Sequence, residues 1–147
     1  MKVLTFSKEF PKTHINAGEP TNFKEKILSG EKIHTIRPET NKWKIGDQIS
    51  MRYWTGKPYH SKQEIFCEEF EVVELIPICI VGIWSGNSQT PNDPINFIKE
   101  GKDLYSKKEM EKIAINDGLN LKQLESWFKL NEKSFTGTLI AWQPTNY

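Results

Sequence analysis

The 147-residue sequence is poor in cysteine, histidine and arginine. Its two cysteines, Cys67 and Cys79, sit in apolar, strand-like stretches with no second pair nearby. One disulfide is open to them, but two buried thiols in a cytoplasmic protein is the better reading. The three histidines, His14, His34 and His60, show no ligand spacing among themselves or with the cysteines. No metal site is expected, and no cofactor. A phosphate-cradling glycine loop and a Gly-x-Ser-x-Gly elbow are both missing. The longest apolar run, Leu75 to Trp84, contains Pro77 and Gly82 and falls short of the ~20 residues of a membrane span. Lys8 and Glu9 arrive before a signal-peptide core could form. These absences exclude the membrane, secreted and collagen-like classes.

What is present is aromatic mass: 12% Phe, Trp and Tyr, with five tryptophans. A chain of this length buries roughly 70% of its unfolded surface and needs no staple. No repeat, low-complexity tract or linker divides it, so residues 1–147 are read as a single domain. The net charge of +1 hides an asymmetry, +6 over residues 1–63 and −5 over 64–147. A basic front half suits an anionic partner such as RNA or a nucleotide, unless the halves intermix in space and the field cancels.

The pattern predicts strands over 3–7, 33–37, 48–54, 64–75, 76–84 and 136–143, the fifth of them central. Thr21 or Asn22 can cap a helix bearing Phe23, Ile27 and Leu28, which Gly30 stops. Ser106 to Glu109 has the form of a capping box for a helix with Met110, Ile113 and Ala114 on one face. Asn116-Asp117-Gly118 breaks that helix, and Asn120 can cap another with Leu121, Leu124, Trp127 and Phe128 inside. Loop elaborations are expected at about 8–20, 56–63 and 85–105. The sum is an α+β domain with a strongly bent sheet or small β-barrel core and flanking helices.

Candidate chemistry concentrates in Lys32-Ile33-His34-Thr35-Ile36-Arg37, where a helix stops at glycine and a strand follows. Thr35 and Arg37 share one face of that strand, His34 and Ile36 the other. Lys32 stands at the corner. Desolvated there beside Arg37, it would have a lowered pKa and could take a proton from Thr35; the plainer reading is a solvated lysine and a threonine chosen for strand propensity. Arg37 and Arg52 are the only arginines against eighteen lysines. They are candidates for bidentate contact with phosphate or carboxylate, or for structural salt bridges to Asp47 or Glu39. The stretch from Arg52 to Gln63 interleaves cations with rings, so Arg52, Trp54, Lys57 and Tyr59 are candidate nucleotide contacts. A hairpin loop packing Trp54 and Tyr59 inward is the competing reading.

Gly30, Lys32, Thr35, Ile36, Arg37, Gly46 and Asp47 together resemble the mark of the ASCH domain family, a branch of the PUA-like fold. The resemblance is clear over 23–54 and weaker over 106–142. It implies a small barrel-like core and a cleft suited to RNA or a nucleoside. Within the family the chain is similar to small bacterial amidohydrolases that deacetylate the exocyclic amine of acetylcytidine. Their lysine and threonine map onto Lys32 and Thr35, and Asp117 stands where their glutamate would. The resemblance thus implies Thr35 as nucleophile, Lys32 as proton acceptor and Asp117 as donor. Arg37, Arg52, Trp54, Lys57 and Tyr59 would bind substrate. A non-catalytic RNA-binding module and an ASCH-type ribonuclease are the alternatives. No DNA-specific or membrane signal is present.

Overall fold

Short runs of alternating burial, rather than long helices, build this chain, and the computed structural model describes residues 1–38, 42–82, 95–99, 106–129 and 133–147. In chain order the elements are β1 (Lys2–Phe6), α1 (Phe23–Ser29), β2 (His34–Pro38), β3 (Ile49–Trp54), β4 (Gln63–Cys67), β5 (Glu74–Gly82), β6 (Ile95–Lys99), α2 (Lys107–Asn116), α3 (Leu121–Phe128) and β7 (Phe135–Ala141). The protein is α+β.

The strands form two sheets, ordered β1-β3-β4 and β2-β7-β5-β6. Among the described residues no pairing closes them into a barrel. The connection between them is the segment after β4. Val72 exchanges backbone hydrogen bonds with Gly46 and Asp47 in the turn that leads into β3 of the first sheet, and the Val73 N–H donates to Ala141 of β7 on the second. One stretch of chain thus bends from sheet to sheet. On the other flank, β1 and β2 are both edge strands. The Lys2 N–H bonds Gln48, and the alternation of a parallel ladder then turns the Thr5 peptide groups away from β3. The Trp142 N–H bonds Ile33, which by the same logic turns those of His34 and Ile36 away from β7. An open seam lies between these two edges.

Local chemistry accounts for the helices. Gly30, at φ 84°, ends α1 in the left-handed conformation that glycine adopts without strain. Capping boxes start α2 (Ser106 with Glu109) and α3 (Asn120 with Gln123). The core joins both sheets to the helices through Phe6, Phe23, Ile27, Ile49, Met51, Ile80, Ile113, Leu124, Leu139 and Trp142.

Several expectations need correction. The fourth and fifth strands divide at 68–73, not between 75 and 76, because Val72 and Val73 are spent on the corner. Residues 95–99, expected within a loop, form β6 and pair with Ile78–Gly82 of β5, which makes β5 central. Pro77 is tolerated in β5 because the β6 ladder begins only at Ile78. Asn22 makes no side-chain cap; Thr21 accepts from the Phe23 N–H instead, at 3.4 Å. Cys67 and Cys79 are both free thiols, as expected, but only Cys67 is buried and Cys79 is half-buried. The expected exposed loop at 85–94 lies outside the described residues.

Candidate active site

A pocket of about 260 Å³ opens at the seam. Thr5 and Phe6 line it from β1 and Ser7 from just beyond, with Thr35, Ile36, Arg37 and Pro38 from β2. Lys32 and Asp117 line it too, with Phe23, Leu119, Trp127, Phe128 and Phe135 as its apolar walls. The three residues named as catalytic from the sequence, together with Arg37, therefore share one cavity. The others do not. Arg52 is held within the first sheet by the Ser50 hydroxyl (3.0 Å) and Gln63 (3.3 Å). Trp54 and Lys57 line a separate depression of about 430 Å³. Tyr59 is exposed, with its ring 5.2 Å from that of Trp54. The hairpin from 55 to 62 carries these groups to the outer end of β3, which is why the aromatic-basic stretch misses the Lys32 pocket.

Among the described residues Lys32 is the largest fully buried side chain, at 1% exposure. Its Nζ donates to the carbonyls of His34 (2.9 Å) and Asp117 (2.5 Å) and to Asp117 Oδ1 (3.2 Å). Three donors meet three acceptors, which is how a buried ammonium is tolerated. Lys32 makes no hydrogen bond to Thr35, although both line the pocket. The rings of Phe23 and Phe6 lie 4.7 and 5.7 Å from Nζ. Desolvation lowers the Lys32 pKa to about 8, against the pull of Asp117, with Arg37 and Lys26 adding to the depression. About a tenth of the side chain is then neutral at pH 7.

Asp117 closes α2, and the chain reverses at Gly118, φ 82°. A β-carbon at Gly118 would stand 3.1 Å from the Lys32 stem and 3.2 Å from the Phe23 ring. Lys26 reinforces the turn by donating to the Gly118 carbonyl at 2.8 Å. The carboxylate is reached from a second side by His34, whose Nδ1 lies 3.3 Å from Oδ1. His34 is fully buried, and burial holds its pKa below the usual imidazole value despite the nearby carboxylate.

Arg37 spans the seam. Its Nη2 donates to the Thr5 carbonyl at 2.6 Å, and its guanidinium carbon lies 5.4 Å from the Phe6 ring. Its buried Nε has no partner among the described residues, an arrangement that costs about 1–3 kcal/mol. Burial lowers its pKa as well, with Asp117 opposing. Asp47, one of its two suggested salt-bridge partners, pairs with Lys2 at 2.5 Å instead; Glu39, the other, lies outside the described residues.

Two features escaped sequence reading. His34 was placed only as a residue facing away from Thr35, and Tyr147 was not singled out. The aromatic walls drawn from α1, α3 and β7 carry no local signal either. Among the described residues no group of His, Cys, Asp or Glu is arranged to hold a metal, and no helix is long and apolar enough to cross a membrane. No family model, curated protein or solved structure matches the chain.

Proposed function

We propose that this protein is a PUA-like, ASCH-type amidohydrolase that removes an acyl group from the exocyclic amine of a cytidine-type base. The observation that carries the reading is the buried Lys32–Asp117 pair in an aromatic-walled cavity beside Thr35 and Arg37. A cavity of this size lies just below the ~300–1,000 Å³ of drug-sized pockets, which suits one substituted ring rather than a polymer.

The chemistry runs as follows. Neutral Lys32 takes the Thr35 hydroxyl proton as Oγ1 bonds the acyl carbon. Arg37 and the outward peptide groups of the β-edges offer donors to the carbonyl oxygen as charge gathers there. The proton passes from Lys32 to Asp117 and on to the amide nitrogen as the C–N bond breaks, freeing the amine. Water then cleaves the Thr35 ester, releasing the carboxylic acid and restoring the hydroxyl. No external reductant or oxidant is needed.

Lysines beside a ring in a neighbouring depression, which Glu9 and Glu25 also line, support a nucleotide as the carrier of that base. Lys8 and Lys24 stand 4.3 and 5.5 Å from the Tyr53 ring in a 370 Å³ depression that shares Phe6, Ser7 and Phe23 with the pocket. That same observation favours the second reading, a non-catalytic RNA-binding module. Incubation with acetylcytidine, and separately with short acetylated RNA, followed by mass spectrometry, tests both. Loss of the acetyl mass supports hydrolysis. Binding with no mass change rejects it in favour of the module, and backbone fragments would mark a ribonuclease.

A further inference from the structure

The Asp117 oxygen that meets Lys32 also meets His34, the start of a chain of buried and half-buried polar groups that the reaction above does not use. His34 Nδ1 faces Asp117 Oδ1 at 3.3 Å, and His34 Nε2 lies 2.7 Å from the Tyr147 hydroxyl. The Asn116 side-chain amide donates to that hydroxyl at 2.7 Å. The segment after β7 is fixed in place to deliver this contact. Its Trp142 N–H bonds Ile33, and the Thr145 N–H and hydroxyl bond the two Glu74 carboxylate oxygens at 3.0 and 2.7 Å.

The direction of each bond follows from what each group can do. A carboxylate only accepts, so Nδ1 of His34 carries the hydrogen. In the neutral ring Nε2 is then an acceptor, so the Tyr147 O–H points to it. The Tyr147 oxygen, having spent its proton, accepts from Asn116. From Asn116 to Asp117 the donors line up in a single sense. Oδ1 of Asp117 receives both His34 and Lys32, which leaves Oδ2 as the oxygen available to the pocket. The titratable and charged groups around His34 are Asp117, Lys32, Tyr147 and, at longer range, Glu74.

We infer that His34 and Tyr147 are positioning residues for Asp117: the carboxylate sets the His34 tautomer, the Tyr147 hydroxyl holds the ring by donating to Nε2, and the ring so held fixes which Asp117 oxygen faces the substrate. The partners that orient metal-ligating groups are typically worth about 10–100-fold, and the same orienting logic applies to a working carboxylate, with the low end expected here. The inference rests on the amidohydrolase reading for its turnover readout but not for its spectroscopic one.

The test uses Tyr147→Phe in the full chain. The change keeps the ring, which stands edge-on to His34 with centroids 5.7 Å apart, and removes only the hydroxyl. In ligand-free protein, ¹⁵N NMR of His34 should show the Nδ1–H tautomer, and in Tyr147→Phe the same tautomer with the Nε2 resonance moved to that of a pyridine-type nitrogen accepting no hydrogen bond. With acetylcytidine, kcat should fall about tenfold with KM unchanged. An unchanged His34 spectrum in Tyr147→Phe overturns the inference. A second comparison guards against misfolding. His34→Asn keeps an amide donor near the Nδ1 position, whereas His34→Leu fills similar space without one. Turnover should be several-fold higher in His34→Asn, and equal turnover would leave His34 a packing residue only. If the wild type does not turn over acetylcytidine, the amidohydrolase reading fails while the NMR result still decides the tautomer claim.

Discussion

In the proposed deacylation Thr35 and Asp117 would carry separable parts of the chemistry. Thr35 is buried on the pocket face of β2, and its hydroxyl is the only group of Thr35 that valine lacks. Thr35→Val should therefore abolish deacylation, by ~100-fold or more, with little change in melting temperature and with nucleoside binding retained by calorimetry. Thr35→Ser should keep turnover within about an order of magnitude. In the proposed reaction Asp117 would act through Lys32 as much as through the substrate, because its charge holds the Lys32 pKa up against desolvation. In Asp117→Asn the pKa of Lys32 should drop further below about 8, seen as an acid shift in the pH dependence of Lys32 labelling by an amine reagent. Turnover should fall ~100-fold in the same variant, since the donor to the leaving amine is gone. A Lys32 titration that stays put would mean that Asp117 shapes the turn and not the charge.

Among the elements, β7 positions Arg37 through a residue with no side chain. Gly137 lies opposite Pro38 in the β2–β7 ladder, and a β-carbon there would fall 2.2 Å from the Arg37 carbonyl. Gly137→Ala must push β7 from β2 at the end of the seam that Arg37 bridges. Loss of about 2–4 kcal/mol in denaturant titration is expected, against roughly 1 kcal/mol or less for alanine at a solvent-facing strand position such as Thr136. This close approach was invisible in the sequence, where Gly137 read as one residue of a final strand. Features set within three or four residues were legible: the Gly30 stop, the Ser106–Glu109 box, and the break at Asn116-Asp117-Gly118. So was the corner that puts Lys32 beside a strand bearing Thr35 and Arg37. Features set by distant partners were not. The β6 strand shows only when paired with β5, the corner at 68–73 only when Val73 meets Ala141, and Tyr147 only across the 113 residues separating it from His34. The placing of the Arg52–Tyr59 stretch outside the Lys32 pocket was illegible for the same reason, since nothing in its composition says which end of the sheet it occupies.

At the scale of the whole molecule, burying Lys32 has a consequence for stability that its near-neutral net charge does not foretell. Lys32 titrates at about 8 in the folded chain and at 10.5 when unfolded. Between those values the unfolded chain holds a proton that the folded chain has released, so stability rises with pH across that window. Below pH 8 both states are protonated and the cost of the buried ammonium is paid in full. The shift corresponds to about 3 kcal/mol, an order-of-magnitude figure. Seventeen other lysines and the tyrosines titrate in the same range, so the effect is isolated by subtraction. Lys32→Met lacks this titration while leaving the other lysines in place. It has its own offset, because the His34 and Asp117 carbonyls and the Asp117 carboxylate lose their donor. Across pH 8 to 10.5 that offset is constant, since the orphaned carboxylate stays ionised. Unfolding free energies of wild type and Lys32→Met, measured in urea at half-unit steps from pH 7 to 10.5, should differ by a flat amount up to about pH 8. Above it the difference should climb in favour of the wild type by about 3 kcal/mol. A flat difference over the whole range would mean that Lys32 keeps its ordinary pKa, and with it the proposed proton acceptor at neutral pH would be lost.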